Sequence, residues 1–232
     1  MAGAFMLIFV AFAGAQHNAR PGVPLTTKSK EALKLFLEGY NKAQNWHREE
    51  AHALFAQAIA KDPDFAVAHL YYAESAIDPK EVEEGIKKAL ALAPRVSKGE
   101  QLFIAADQAW FLENDHVKGT ELFRQIAEMF PGDKAAQLWL AMCLVERQDY
   151  DKAMPQFKKA LELDQDYFPT HNYMAYAYVA TGDYAKAEEH FKIYQRLQPK
   201  EANPHDCLGD VYMKIGRFDE AIGQYGQAVA FD

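Results

Sequence analysis

The sequence predicts an all-α chain, a solenoid of about six two-helix repeats, and three observations carry that prediction. His171 and His205 lie 34 residues apart, and around each the same pattern recurs. A small residue follows four positions later, a tyrosine three beyond it, then glycine, an aromatic, alanine and a second aromatic. Self-similarity at this period marks a helical repeat array. With residue 32 as repeat position 1, position 20 reads Ala51, Val82, Gly119, Ala153, Ala187 and Ala221, and position 24 reads Phe55, Ile86, Phe123, Phe157, Phe191 and Tyr225. Prolines close most units: Pro63, Pro131 and Pro199 are each two periods apart, and Pro94 falls three residues ahead of register.

The units run over about 32–65, 66–96, 100–133, 134–167, 168–201 and 202–232. Each reads as two amphipathic helices with apolar or small residues three or four apart, as in Leu140, Ala141 and Leu144, or Leu208, Gly209 and Tyr212. In unit one, Gly39 on the first helix faces Ala51 and Phe55 on the second, and Pro63 ends it because proline lacks an N–H and biases the preceding residue away from helix. Unit two has a shortened turn at Ile77-Asp78-Pro79, and three extra residues around Ser97-Lys98-Gly99 restore the phase, so a local irregularity is expected there. Unit three carries Asp107 where the helices cross and Gly119 where alanine is usual, with Trp110, Phe123 and Pro131 keeping its frame. In unit four, Tyr150, Ala153, Phe157, Ala160 and Leu161 form one face with Lys158 and Lys159 away from it, and Pro155 predicts a modest kink. Unit five turns at Gly182-Asp183 and continues with Tyr184, Ala187, Phe191 and Tyr194 opposite Glu188 and Glu189, and unit six turns at Gly216-Arg217.

Over residues 32 to 232 the chain resembles the tetratricopeptide repeat family, of bacterial type, whose unit is a helix-turn-helix of this length with small residues at the crossing and a proline near the end. The resemblance implies a right-handed superhelix with a concave groove lined by the first helices. Gly39, Ala73, Ala141, Ala175 and Gly209 let paired helices approach to roughly 8–10 Å. The position-24 aromatics fill the space between successive units.

Composition and the chain ends narrow the function. Met1 to Ala15 is uncharged, apolar from Phe5 to Phe12, and closes with Ala13-Gly14-Ala15, a small-x-small site, so 1–15 reads as a signal peptide and 16–31 as a lead-in of little information. It has no Lys or Arg before the apolar run and is too short to span a bilayer, which takes roughly 20 apolar residues. The expected location is exported, in a bacterial periplasm, with the cytoplasm as the alternative if the segment is not a working signal. The net charge of −8, from 33 acidic and 25 basic residues, leaves no basic stripe for phosphates and argues against a nucleic-acid partner. Cys143 and Cys207 lie on first helices two units apart, too far for a disulfide, and are expected as free thiols. His69, His171 and His205 share repeat position four and read as packing residues. His47 and His52 are five residues apart, off the i, i+4 spacing of a zinc helix. No phosphate loop, nucleophile elbow or Cys-x-x-Cys is present, so no catalytic residue, metal or cofactor is expected.

The resemblance places Phe36, Tyr40, Leu70, Glu74, Ile104, Gln108, Phe111, Leu138, Met142, Asn172, Tyr176 and Val179 in the groove, with Asn203, Asp206, Asp210 and Lys214 at its polar end. The Lys, Arg and Asn clamp by which some family members hold a peptide's carboxylate is absent, and Asp206 and Asp210 beside Lys214 would repel one. A non-catalytic scaffold or adaptor binding an apolar peptide or helix is therefore expected. The alternative for some of these groove residues is packing against neighbouring helices, since grooves and cores draw on the same residue types. The last helix offers Ile222, Tyr225 and Val229 as a face meant for a successor, which leaves two alternatives: a self-associating assembly component, or a fragment of a larger repeat protein. A glycan-binding role through Tyr71, Tyr72 and Tyr176 is a further alternative.

Overall fold

Twelve α-helices follow one another along residues 23–231, the part of the chain that the computed structural model describes, and no strand occurs among them. The expected signal peptide and residues 16–22 of the lead-in lie outside the described residues. No helix among those described is long and apolar enough to cross a membrane. The helices form two compact units, the first running to Cys143 and the second starting at Leu144.

The first unit holds α1 (Lys30–Gln44), α2 (Arg48–Lys61), α3 (Ala66–Ser75), α4 (Pro79–Leu92), α5 (Lys98–Asp107), α6 (His116–Met129) and most of α7 (Lys134–Glu146). Local chemistry sets its helix starts. Ser29 accepts from the Ala32 N–H at 3.1 Å, Asp78 caps α4 with Pro79 in its first turn, and Ser97 with Glu100 forms a capping box on α5. The core is a chain of rings. Phe36 packs 5.6 Å from Phe55, 5.1 Å from Phe65 and 5.1 Å from Tyr71, and further along Phe103 stacks 5.1 Å from Trp139. Such pairs contribute about 0.5–1.5 kcal/mol each beyond the area they bury.

Unit two of the repeat crosses at a different residue from the one its register suggests. A Cβ on Gly85 would lie 2.7 Å from the Ala73 Cβ and 2.9 Å from the His69 carbonyl oxygen, so Gly85 is the crossing residue of α4, while Val82 is half-buried one turn earlier. Trimming the turn before Pro79 shortens α3 without moving the face that α4 buries, which is Gly85, Ile86 and Ala89. The expected irregularity takes the form of a single turn of 3-10 helix at Ala93–Arg95, and unit three adds one that was not expected, a turn of π-helix, Gln108–Leu112, continuing α5. Trp110 on that turn explains Gly119: a Cβ there would stand 2.8 Å from the indole.

Residues 23–29 are structured, contrary to the low-information reading. Thr26 donates its N–H to Glu100 at 2.8 Å and its hydroxyl to the same carboxylate, Thr27 and Lys28 both donate to Asp62, and the Val23 N–H reaches Asp133 at 3.2 Å. This strap ties the end of α2 to the start of α5 and to the turn before α7.

The second unit holds the end of α7, then α8 (Tyr150–Leu163), α9 (Phe168–Thr181), α10 (Tyr184–Leu197), α11 (Ala202–Lys214) and α12 (Phe218–Phe231). Its core gathers Ala175, Ala187, Phe191, Tyr194, Leu208, Val211 and Ala221, the small and aromatic repeat positions brought together. On Gly209 a Cβ would fall 2.5 Å from the Tyr225 ring, so only glycine lets α11 and α12 meet this closely. α8 runs through Pro155 without a break, and Pro155 sits on its exposed side.

Candidate functional site

Burial sorts the groove residues into two sets. Phe36, Tyr40, Leu70, Ile104, Leu138, Met142 and Asn172 are all buried, at 3% exposure or less, so they are core rather than surface. The reason is visible at Phe36 and Tyr40, whose rings are enclosed by aromatics of the neighbouring helices, Tyr71 above all. The residues that keep surface are Gln108 and Phe111 in the first unit, and Tyr176, Val179, Asp206, Asp210 and Lys214 in the second.

In the second unit these residues lie on facing helices. Tyr176 of α9 is 3.0 Å from the Cys207 sulfur of α11 through its hydroxyl, which sets the two helices side by side. Asp206, Asp210 and Lys214 follow at i, i+4 and i+8 along α11, all exposed, with Met213 beside them at 47% exposure. Asp210 accepts the Tyr225 hydroxyl at 2.7 Å, and burial together with that hydrogen bond pushes the phenol up to about 12. Tyr225 is thus bound within its own hairpin instead of standing on a free terminal face. Ile222 and Val229 do stand out, 68% and 79% exposed, with Phe218 at 57%.

The thiols and imidazoles are structural. Cys143 and Cys207 are buried free thiols, and burial raises Cys207 to about 12, which keeps it protonated. His171 Nε2 lies 2.9 Å from the Gln165 carbonyl, and His69 makes the same contact with Pro63 at 2.9 Å, each ring satisfying the turn six residues before it. Since the His171 Nε2 donates there, its Nδ1 accepts from His190 at 2.9 Å, and burial holds His190 down at about 4. His52 stacks on Tyr72 and contacts Ser75, away from His47 at the start of α2. Among the described residues no group of three or more His, Cys, Asp or Glu side chains is placed to hold a metal.

One feature of the first unit escaped the sequence. The carboxyls of Glu74 and Asp107 are buried, 3% and 1% exposed, and burial pushes Asp107 up to about 7. Position 8 of unit three, where a small residue is usual, therefore holds half of a buried acid pair.

Comparison with known proteins agrees with the repeat geometry. Models of the Tetratricopeptide repeat match residues 36–100, and 111–155 with 144–206. Protein bimA of Emericella nidulans is 26% identical over 93% of this chain and 28% of its own length. Anaphase-promoting complex subunit 3 of Schizosaccharomyces pombe is 28% identical over 85% of this chain and 30% of its length. The chain therefore spans less than a third of these relatives. Among solved structures, the APC/C hetero-tetramer Cut9-Hcn1 superposes with a TM-score of 0.58 at 20% identity, covering 87% of this chain and 40% of that one. PilW, a type IV pilus biogenesis factor, superposes with 0.54 at 18% identity, covering 87% and 94%. The 34-residue hairpins, the small residues at their crossings and these matches together make the chain a member of the tetratricopeptide repeat family.

Proposed function

We propose that the chain is a non-catalytic scaffold that binds a protein segment in which apolar residues alternate with basic ones. The observation that carries this is the surface of α9 and α11, where Tyr176, Val179 and Met213 offer apolar area beside the exposed carboxylates Asp206 and Asp210. Apolar contact supplies affinity, and the two carboxylates reject acidic segments and steer basic ones. Assembly roles in the names of similar proteins, an anaphase-promoting complex subunit and a pilus biogenesis factor, support a scaffold in general terms. Panning a random dodecapeptide library against the chain tests the reading. Binders rich in Leu, Ile or aromatics with Lys or Arg are expected, and the Asp206→Lys/Asp210→Lys chain should lose the basic preference. Acidic binders, or binders indifferent to that double substitution, would sink it.

A second reading, self-association, is favoured by the stripe of Phe218, Ile222 and Val229, which lie on one side of α12 and are each more than half exposed. Mass measured by light scattering across a concentration series should rise for the native chain and stay monomeric for Ile222→Asp/Val229→Asp. A native chain that is monomeric throughout removes this reading.

A further inference from the structure

The first unit contains a cavity of about 710 Å³ that the scaffold reading does not use. Ala56 and Ile59 of α2 wall one part of it, Glu81, Glu84, Lys88 and Ala91 of α4 another, and α3 contributes His69 and Tyr72. We propose that this cavity is a binding site for a neutral sugar, whose hydroxyls bond to His69, Glu84 and Lys88 while its C–H face packs on Tyr72 and Ile59.

Comparison along the repeat isolates one polar atom in this cavity. His69, His171 and His205 stand whole periods apart, and His69 and His171 each place Nε2 2.9 Å from the carbonyl oxygen six residues earlier. A carbonyl only accepts, so the neutral ring presents Nδ1 as an acceptor. In the fifth hairpin that nitrogen meets His190 at 2.9 Å, and in the sixth, His205 Nδ1 lies 2.9 Å from both Gln195 and Gln224. Four periods before those two glutamines stand Ile59 and Lys88, both on the cavity wall. Ile59 has nothing to donate, and Lys88 is exposed and bonds to no side chain among the described residues. His69 Nδ1 therefore faces the cavity at the place where the other two histidines are met by protein.

Tyr72 supplies a platform. The fifth and sixth hairpins have the buried Met174 and Leu208 at its position, whereas Tyr72 keeps surface. His52 stacks 4.1 Å from its ring and its hydroxyl donates to Glu81 at 3.3 Å, which fixes the ring with its other face toward the cavity. Charge then selects the ligand. Glu81 and Glu84 would repel a carboxylate, Lys88 would repel an amine, and Lys87 beside it is already paired with Glu83. These walls are satisfied by an uncharged molecule with several hydroxyls, which donate to His69 Nδ1 and Glu84 and accept from Lys88. The volume lies within the roughly 300–1,000 Å³ of small-molecule sites, which likewise combine apolar and aromatic walls with a few placed polar groups.

Saturation-transfer NMR titrations of the full chain with the methyl glycosides of glucose, galactose, mannose and N-acetylglucosamine test this. At least one is expected to bind, and about tenfold more tightly than its derivatives carrying a carboxylate or an amine at C6, the scale of one mismatched charge. Ile59→Gln/Lys88→Gln gives the second hairpin the residues that meet the histidine in the sixth, so it should fold as the native chain does and lose at least about tenfold in sugar binding. Tyr72→Leu, which takes the residue of the sixth hairpin, should lose as much. Tighter binding of either charged derivative, binding that survives the double substitution, or no binding of any of the four sugars would each overturn the proposal. Circular dichroism checks each variant, and if one fails to fold, the other and the charged-against-neutral comparison on the native chain still decide.

Discussion

Replacing Asp107 with Asn is expected to raise the stability of the first unit at pH 8 by up to roughly 4 kcal/mol, a gain that shrinks on acidification and vanishes near pH 4. Asp107 is buried at the end of α5, and desolvation lifts its carboxyl from the ordinary 3.8 to about 7. A folded value above the unfolded one means that the folded chain holds a proton the unfolded chain gives up. The acid's contribution is fully present below 3.8 and is lost as pH rises through 7, at about 1.4 kcal/mol for each unit of difference. Asn cannot ionise and keeps the volume. Thermal melts of both chains from pH 4 to pH 8.5 should therefore diverge upward with pH and run parallel above about pH 8. Curves separated by a constant amount would mean that Asp107 is not protonated by burial.

Much of this architecture was legible because a solenoid repeats its constraints. The close crossings at Gly39 and Gly209, and the buried aromatics Phe55, Phe123, Phe157 and Phe191, recur at the predicted positions since each hairpin solves the same packing problem. Features without a side-chain signature were not legible. Left-handed backbone closes five hairpins at multiples of 34 residues, at Trp46, Asn114, Gln148, Gly182 and Gly216 with unit two skipped, yet only the last two are glycines and only those turns showed in the sequence. A non-glycine residue there is strained on the order of 1 kcal/mol and tolerated because the turn is fixed by the helices on both sides. Unit two misled because its trimmed turn shifts the count, and Val82 was aligned where Gly85 makes the contact. The groove was over-read for a simpler reason. Facing a groove and filling the space between hairpins ask for the same residues, and nothing local distinguishes Phe36, which is core, from Phe111, which keeps surface.

Glu100→Ala should cost roughly 3 kcal/mol and release the strap of residues 23–29, a larger effect than its place in a capping box would suggest. The Glu100 side chain is fully buried. One oxygen accepts the Thr26 N–H at 2.8 Å, and the other accepts the Thr26 hydroxyl and the Ser97 N–H at 3.0 Å. Removing the carboxylate breaks three partly buried hydrogen bonds, two from Thr26 and one from Ser97, and each such bond contributes about 1 kcal/mol net. If Glu100 served only the capping of α5, Ser97→Ala would reproduce most of the loss, since it removes the hydroxyl that accepts the Glu100 N–H at 3.3 Å. The strap predicts otherwise: Ser97→Ala should lose about 1 kcal/mol, while Glu100→Ala should also speed hydrogen exchange at the amides of Thr26 and Lys28. The Asp62 half of the attachment makes the test sharper. Thr27 and Lys28 donate to Asp62 at 2.6 and 2.9 Å, so a strap that acts as one piece should loosen at both ends when either carboxylate is removed. Exchange that quickens at Thr26 while Lys28 stays protected would mean two independent contacts. Joint loosening would show that this short segment clamps the end of α2 to the start of α5.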